Sequence, residues 1–199
     1  AYPADVIADR VAEGAMAPQG LDVVQPGDME TIAAPIDFLG VNYYRREVFR
    51  DEAAADNLPR MTFEPPKSDT DWTEMGWEIY PEGLYHVLMR LHHEYGMPQL
   101  YVTENGCSFS DGPGEDGRIR DQRRIDYLRD HFAAAAQAIE HGAPLAGYFV
   151  WSLLDNFEWA HGYSQRFGII WVDFETKERI PKDSALWYKR FVAEVTREL

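Results

Sequence analysis

Hydrophobic and polar positions along the chain fall into a repeating order of short apolar runs and longer amphipathic stripes. The first stripe, Val6, Ile7 and Val11, predicts a short helix over 5–13 with Asp5 placed to cap it. Residues 14–35 mix Gly, Pro, Gln and Asp with scattered apolar residues and read as a long connection, with one short helix near 28–33. The pattern then changes. Residues 36–44 form a mostly apolar run that ends in Asn42, Tyr43 and Tyr44, as expected of a buried parallel strand with polar-tipped side chains at its end. Residues 45–77, punctuated by Pro59, Pro65, Pro66 and several aspartates, have no lasting period and read as a surface excursion.

Pro81 opens the next helix. Leu84, Val87, Leu88 and Leu91 share one of its faces, and Gly96-Met97-Pro98 ends it. A short branched and aromatic run, Leu100-Tyr101-Val102-Thr103, is a second strand that stops at Glu104-Asn105-Gly106. A polar loop leads to a stronger helical stripe of Ile125, Leu128, Phe132, Ala135 and Ile139, closed by Gly142 and Pro144. Residues 145–154 read as a third strand, 167–174 as a short extra strand pair, and 184–198 as a terminal helix carrying Leu186, Trp187, Phe191 and Val195. Strand, loop and helix thus recur three times, which predicts βα units, a parallel sheet and working loops at the carboxyl ends of the strands.

Composition narrows the function classes. With 45% hydrophobic and 27% charged positions, the 199 residues can bury a core. Nineteen basic residues against 34 acidic ones give a net charge of −15, which repels nucleic acid and anionic membrane surfaces and favours a neutral partner. The longest apolar run, near 143–154, is interrupted by Pro144 and Gly147 and is too short to span a bilayer. The opening Ala1-Tyr2-Pro3-Ala4-Asp5 has no basic or apolar leader, so a signal peptide is not expected, and it reads either as a trimmed start or as the later portion of something longer. The single cysteine, Cys107, cannot close an intramolecular disulfide, which points weakly towards the cytoplasm. With no activating His nearby in sequence, it reads as a small packed residue. The adjacent His92 and His93 project in different directions from a helix and do not suggest a metal site; no metal and no cofactor are implied.

The strand ends collect Asn42, Tyr43, Tyr44, Glu104, Asn105 and Trp151 at one rim. A carboxylate, phenols, an amide and an indole together describe a sugar site, where apolar sugar faces lie on rings and hydroxyls need donors and acceptors in fixed directions. Four ordered motifs carry a family resemblance. Asp37-Phe38-Leu39-Gly40-Val41-Asn42-Tyr43-Tyr44, Tyr101-Val102-Thr103-Glu104-Asn105-Gly106, Trp151-Ser152-Leu153-Leu154-Asp155-Asn156-Phe157-Glu158-Trp159, and Gly162-Tyr163 with Arg166-Phe167-Gly168 resemble the carboxyl-terminal motifs of family-1 glycoside hydrolases, the β-glucosidase family. Arg179-Ile180-Pro181-Lys182-Asp183-Ser184 is similar to that family's tail.

The resemblance implies an α/β fold forming part of a (β/α)₈ TIM barrel, roughly strands 6 to 8 with their helices. Residues 1–199 would then be the carboxyl-terminal part of one catalytic domain, with no separate second domain. It implies that Glu104 is the nucleophile of a retaining hydrolase, forming a glycosyl-enzyme intermediate that water later cleaves, and that Tyr44 orients it. A rim aromatic packed on the loop is the alternative for Tyr44. Asn42 is implied near the sugar, with a strand-end turn residue as its alternative. Glu158 and Trp159 would clamp sugar hydroxyls, Trp151 would lie under the ring, Phe167 would border the pocket or belong to the core, and Trp77 would wall the aglycone side. Asn105 and Gly106 would shape the turn. Glu158 would repel a sugar phosphate, so an unphosphorylated β-glucoside or cello-oligosaccharide is expected as substrate, with fucosides or galactosides as side substrates.

One departure stands out. The family's acid/base glutamate lies in a Thr-x-Glu-Pro type motif that does not occur here, and the one Glu-Pro, Glu64-Pro65, sits in the proline-rich excursion. Retaining hydrolysis needs two carboxyl groups about 5–5.5 Å apart, and the barrel needs eight strands. The expected partner is therefore a complementary amino-terminal barrel portion, without which the isolated chain would be inactive. The alternative reading is a non-catalytic carbohydrate-binding or assembly subunit of the same fold.

Overall fold

A computed structural model describes residues 3–50, 61–62 and 72–195. The chain packs as two compact units, Ala1–Asp37 and Phe38–Leu199. The first holds α1 (Ala4–Ala12) and α2 (Asp28–Ile32), neither of which has a buried residue. Both helices match the expected stripes, but Asp5 does not cap α1. The capping position is Pro3, and Asp5 lies inside the first turn, where its charge faces the free N–H groups of the helix start.

In chain order the second unit contains β1 (Leu39–Asn42), β2 (Phe49–Arg50), β3 (Met61–Thr62), α3 (Pro81–His93), β4 (Leu100–Asn105), α4 (Gln122–Glu140), β5 (Leu145–Val150), β6 (Ile170–Val172), β7 (Arg179–Pro181) and α5 (Asp183–Val195). Strand β4 lies between β1 and β5 and is parallel to both. The expected βα repeat is present. Strand β1 begins later than its apolar run, at Leu39, which stands opposite Leu100 and whose N–H donates to the Gln99 carbonyl at 2.9 Å. Ile36 and Phe38 are exposed.

Among the described residues of this unit, helices cover one face of the sheet. Leu39, Val41, Leu100, Val102, Leu145 and Tyr148 pack with Leu84 and Leu88 of α3 and with Ala135 and Ala138 of α4. Leu84, Leu88 and Leu100 are fully buried, each contributing roughly 1.5–3 kcal/mol of transfer free energy. On the other face Gly40, Asn42, Thr103, Ala146 and Phe149 are exposed, whereas parallel sheets are ordinarily buried on both sides.

Three stripes are rotated relative to expectation. Along α4 the buried residues are Arg124, Tyr127, Leu128, His131, Ala134, Ala135 and Ala138, leaving Ile139 on the exposed side. Val87 of α3 and Leu186 and Val195 of α5 are also exposed, while Trp187 and Phe191 stack on Phe132 at 5.9 and 4.8 Å. The third strand stops at Val150. Beyond it the backbone bonds to a different segment: Ser152 N–H donates to the Phe167 carbonyl, and Asp155 N–H to that of Ile170. The extra strand pair forms, but β6 finds its antiparallel partner in β7, whose Arg179 and Pro181 gave no strand signal. Glu64-Pro65 lies outside the described residues.

Candidate functional site

Asn42, Glu104 and Trp151 all sit at the carboxyl ends of parallel strands, so the fold brings them to one rim. A register shift after Val41 sets Asn42 opposite Glu104. Tyr43 N–H donates to the Glu104 carbonyl at 2.9 Å, which turns the following side chain, Tyr44, towards the carboxylate. The Tyr44 hydroxyl donates to Glu104 Oε2 at 2.7 Å. Burial, this hydrogen bond, and the charges of Glu104 and Glu158 push the Tyr44 phenol well above its ordinary value. It therefore stays protonated and keeps Glu104 supplied with a hydrogen-bond donor.

Rings surround this pair. Trp77 lies 5.3 Å and Phe167 6.1 Å from the Tyr44 ring, and they are 6.0 Å from each other. Phe167 is buried and Trp77 half-buried, and the Arg45 guanidinium stands 5.3 Å from the Trp77 ring. Asn42 is exposed and accepts a 2.6 Å hydrogen bond from the Thr103 hydroxyl at Oδ1.

The remaining candidates ride on the loop after β5. Trp151 follows the strand directly and is half-buried, and its N–H donates to the Asn105 carbonyl at 2.9 Å. That approach is so close that a Cβ added to Gly106 would lie 1.7 Å from the Trp151 carbonyl oxygen. Glu158 is half-buried and its backbone pairs with Gly162. Trp159 is 83% exposed. Among the described residues, no group of three or more His, Cys, Asp or Glu side chains is arranged to hold a metal ion. Burial pushes the Cys107 thiol up to about 12, consistent with a packed, unreactive side chain.

The model described as "Glycosyl hydrolase family 1" matches residues 2–196. The chain belongs to glycosyl hydrolase family 1. Beta-glucosidase A of Thermotoga maritima is 51% identical over 165 residues, covering 83% of this chain and 36% of that protein. A bifunctional beta-D-glucosidase/beta-D-fucosidase of Bifidobacterium breve is 48% identical over 182 residues, 84% of this chain and 39% of its own length. Among solved structures, the Thermotoga maritima β-glucosidase in complex with glucoimidazole matches with a TM-score of 0.84 at 46% identity, over 97% of this chain and 41% of that one. The family-1 chain thus spans well under half the length of the relatives it matches.

Some residues that shape this family-1 site stand in or beside the ordered motifs without a role that the resemblance assigns. Asp155, fully buried as a side chain, accepts from Arg166 Nη1 at 2.7 Å, from Lys182 Nζ at 3.1 Å and from Gly168 N–H at 2.9 Å. This root fixes the start of the loop that bears Glu158 and Phe167. Burial and the nearby Arg124 charge pull the Lys182 ammonium down to about 8, opposed by Asp155. Arg124, also buried, pairs with Asp121 at 2.7 Å and Asp111 at 3.0 Å, and donates to the Arg166 carbonyl at 2.8 Å. Charged residues three or four apart on a helix usually mark a solvated face, so sequence pattern alone hides such a network.

Proposed function

We propose that this chain is the strand 6 to 8 region of a family-1 (β/α)₈ barrel that hydrolyses terminal β-D-glucosides with retention of configuration. The observation that carries the reading is the 2.7 Å hydrogen bond from the Tyr44 hydroxyl to Glu104 Oε2, at the carboxyl rim of a parallel sheet and bordered by Trp77 and Phe167. Glu104 attacks the anomeric carbon as the bond to the departing oxygen breaks, giving a glycosyl-enzyme ester that water then cleaves. The proton for the departing oxygen comes from a second carboxyl group on a complementary amino-terminal barrel portion. The uncovered face of the sheet and the small share of each relative's length that this chain spans support that division.

On the sugar side, Glu158 and Trp159 take hydroxyls, Trp151 lies under the ring and Asn42 offers its amide donors. On the departing side, Trp77 is the wall. A phosphate beside Glu158 would be repelled, so the substrate is an unphosphorylated β-glucoside or cello-oligosaccharide. The double name of the Bifidobacterium breve relative supports β-fucosides as a side substrate.

The test joins this chain to the portion of the Thermotoga maritima relative that it does not match. The joined protein is expected to hydrolyse an aryl β-glucoside, and a fluorinated glucoside that arrests the intermediate is expected to add its mass at Glu104; the isolated chain is expected to do neither. Turnover that survives Glu104→Ala would overturn the nucleophile, and turnover by the isolated chain would overturn the division. Saturable sugar binding without label would favour a carbohydrate-binding subunit instead.

A further inference from the structure

We infer that Asn105, Tyr127 and Tyr148 form a brace that positions the Tyr44–Glu104 pair, a role that rests on reading Glu104 as the nucleophile. Because side chains alternate along a strand, Asn105 points to the opposite side of β4 from Glu104, into the layer between sheet and helices. There it is fully buried, and Tyr127 of α4 is 1% exposed. Such a layer is ordinarily filled by apolar side chains, since an amide and two phenols are costly to bury unless each finds a partner.

Here each does. Asn105 Nδ2 donates to the Tyr43 carbonyl at 2.8 Å and to the Tyr127 hydroxyl at 3.0 Å, and its Oδ1 accepts from the Tyr148 hydroxyl at 2.5 Å. The Tyr127 hydroxyl passes its own proton to the Tyr44 carbonyl at 3.3 Å. The direction of every bond is thereby set, because a flipped amide would set its oxygen against the Tyr43 carbonyl and turn its N–H donors towards the Tyr148 hydroxyl. Burial holds the phenols of Tyr127 and Tyr148 far above their ordinary value, so both remain donors.

The network ends on the site. Its two outward bonds fall on the carbonyls of Tyr43 and Tyr44, while its hub is covalently joined to Glu104. Asn105 also accepts at its own carbonyl from Trp151 N–H at 2.9 Å. One amide therefore registers the last residues of β1, the last residues of β4, the beginning of the loop after β5, and a helix behind them. Tyr44 reaches Glu104 only if the backbones of β1 and β4 keep this register. A misplacement of about 1 Å at a reacting group is enough to lower a rate by about a hundredfold.

The experiment uses the joined protein described above, with active sites counted by the fluorinated glucoside, and the variants Tyr127→Phe and Tyr148→Phe. Each is expected to lower kcat per counted site by about tenfold while KM changes less than about twofold, the signature of an interaction used in the transition state. Each should also move the acidic limb of kcat/KM in the same direction as Tyr44→Phe does, because both act on the same Tyr44–Glu104 contact. A purely structural role would lower the number of counted sites and the melting temperature, with kcat per site and the acidic limb unmoved, and that result in the folded variants would overturn the brace. Should Tyr127→Phe not fold, Tyr148→Phe decides alone, since its position is half-buried. Absence of label at Glu104 in the unsubstituted protein would overturn the nucleophile and the brace together; label with unchanged kinetics in the variants overturns the brace only.

Discussion

At the end of β4, the Asn105 side chain makes three hydrogen bonds through its amide nitrogen and oxygen and Glu104 is already held by Tyr44, whereas Trp159, on the loop after β5, is 83% exposed. The proposed nucleophile side is organised by contacts made inside this chain. The proposed sugar-clamp side is anchored at its root, where Asp155 is held by Arg166, Lys182 and the Gly168 amide. On the proposed reading, a site divided in this way holds the Glu104 carboxylate ready before the surfaces that would enclose a substrate are complete. The contrast separates two kinds of residue: those whose loss is felt in the fold, and those whose loss is felt only when sugar binds.

The sharpest attack on this contrast is at the root of the clamp loop. Lys182→Ala leaves the buried Asp155 with one cation fewer, and breaking a buried pair in this way typically costs about 3–5 kcal/mol. Urea unfolding at neutral pH should report a loss of that size; a loss below about 1 kcal/mol would mean that the loop root is not held as described. A smaller effect comes from pH. Burial lowers His131, in the helix layer behind Glu104, to about 4, with the bond between its ring and the Tyr127 carbonyl opposing the shift. The folded value lies below the unfolded one of about 6.5, so the unfolded chain binds the extra proton first and stability falls as the pH drops from about 6.5 towards 4. The loss approaches about 3 kcal/mol across that window, and His131→Phe should flatten that part of the urea–pH profile. The smallest effect belongs to the exposed tip. Trp159→Ala should change stability by no more than about 0.5 kcal/mol, while weakening the binding of a glucose-like inhibitor to the joined protein; a large destabilisation would erase the distinction between tip and root.

Periodicity reveals much of the scaffold, because burial of one helix face and alternation of strand with helix are written in the order of apolar residues. The runs ending at Asn42 and Glu104 locate β1 and β4, and the ordered motifs single out Tyr44 and Glu104, which the fold brings within hydrogen-bonding distance. Residues that contradict their usual environment stay hidden. Arg124, His131 and Lys182 carry side chains that ordinarily face solvent, yet all three are fully buried. Strand β7 was missed because its pairing with β6 depends on a tertiary neighbour, and Arg179-Ile180-Pro181 has little intrinsic strand character. Asp5 shows the limit of local rules, since a good capping residue one or two positions inside the helix acts through its charge and not as a cap.

The close approach at Gly106 sets boundaries for anyone wishing to diversify this scaffold. A Cβ there would lie 1.7 Å from the Trp151 carbonyl oxygen, and one at Gly168 would lie 2.1 Å from the Asp155 amide nitrogen. In both cases the obstacle is main chain, which no change of rotamer can move aside. A combinatorial library for altered sugar preference should keep positions 106 and 168 as glycine and spend its randomised codons around Trp159, where the side chain meets open space and most substitutions can be carried without loss of expression.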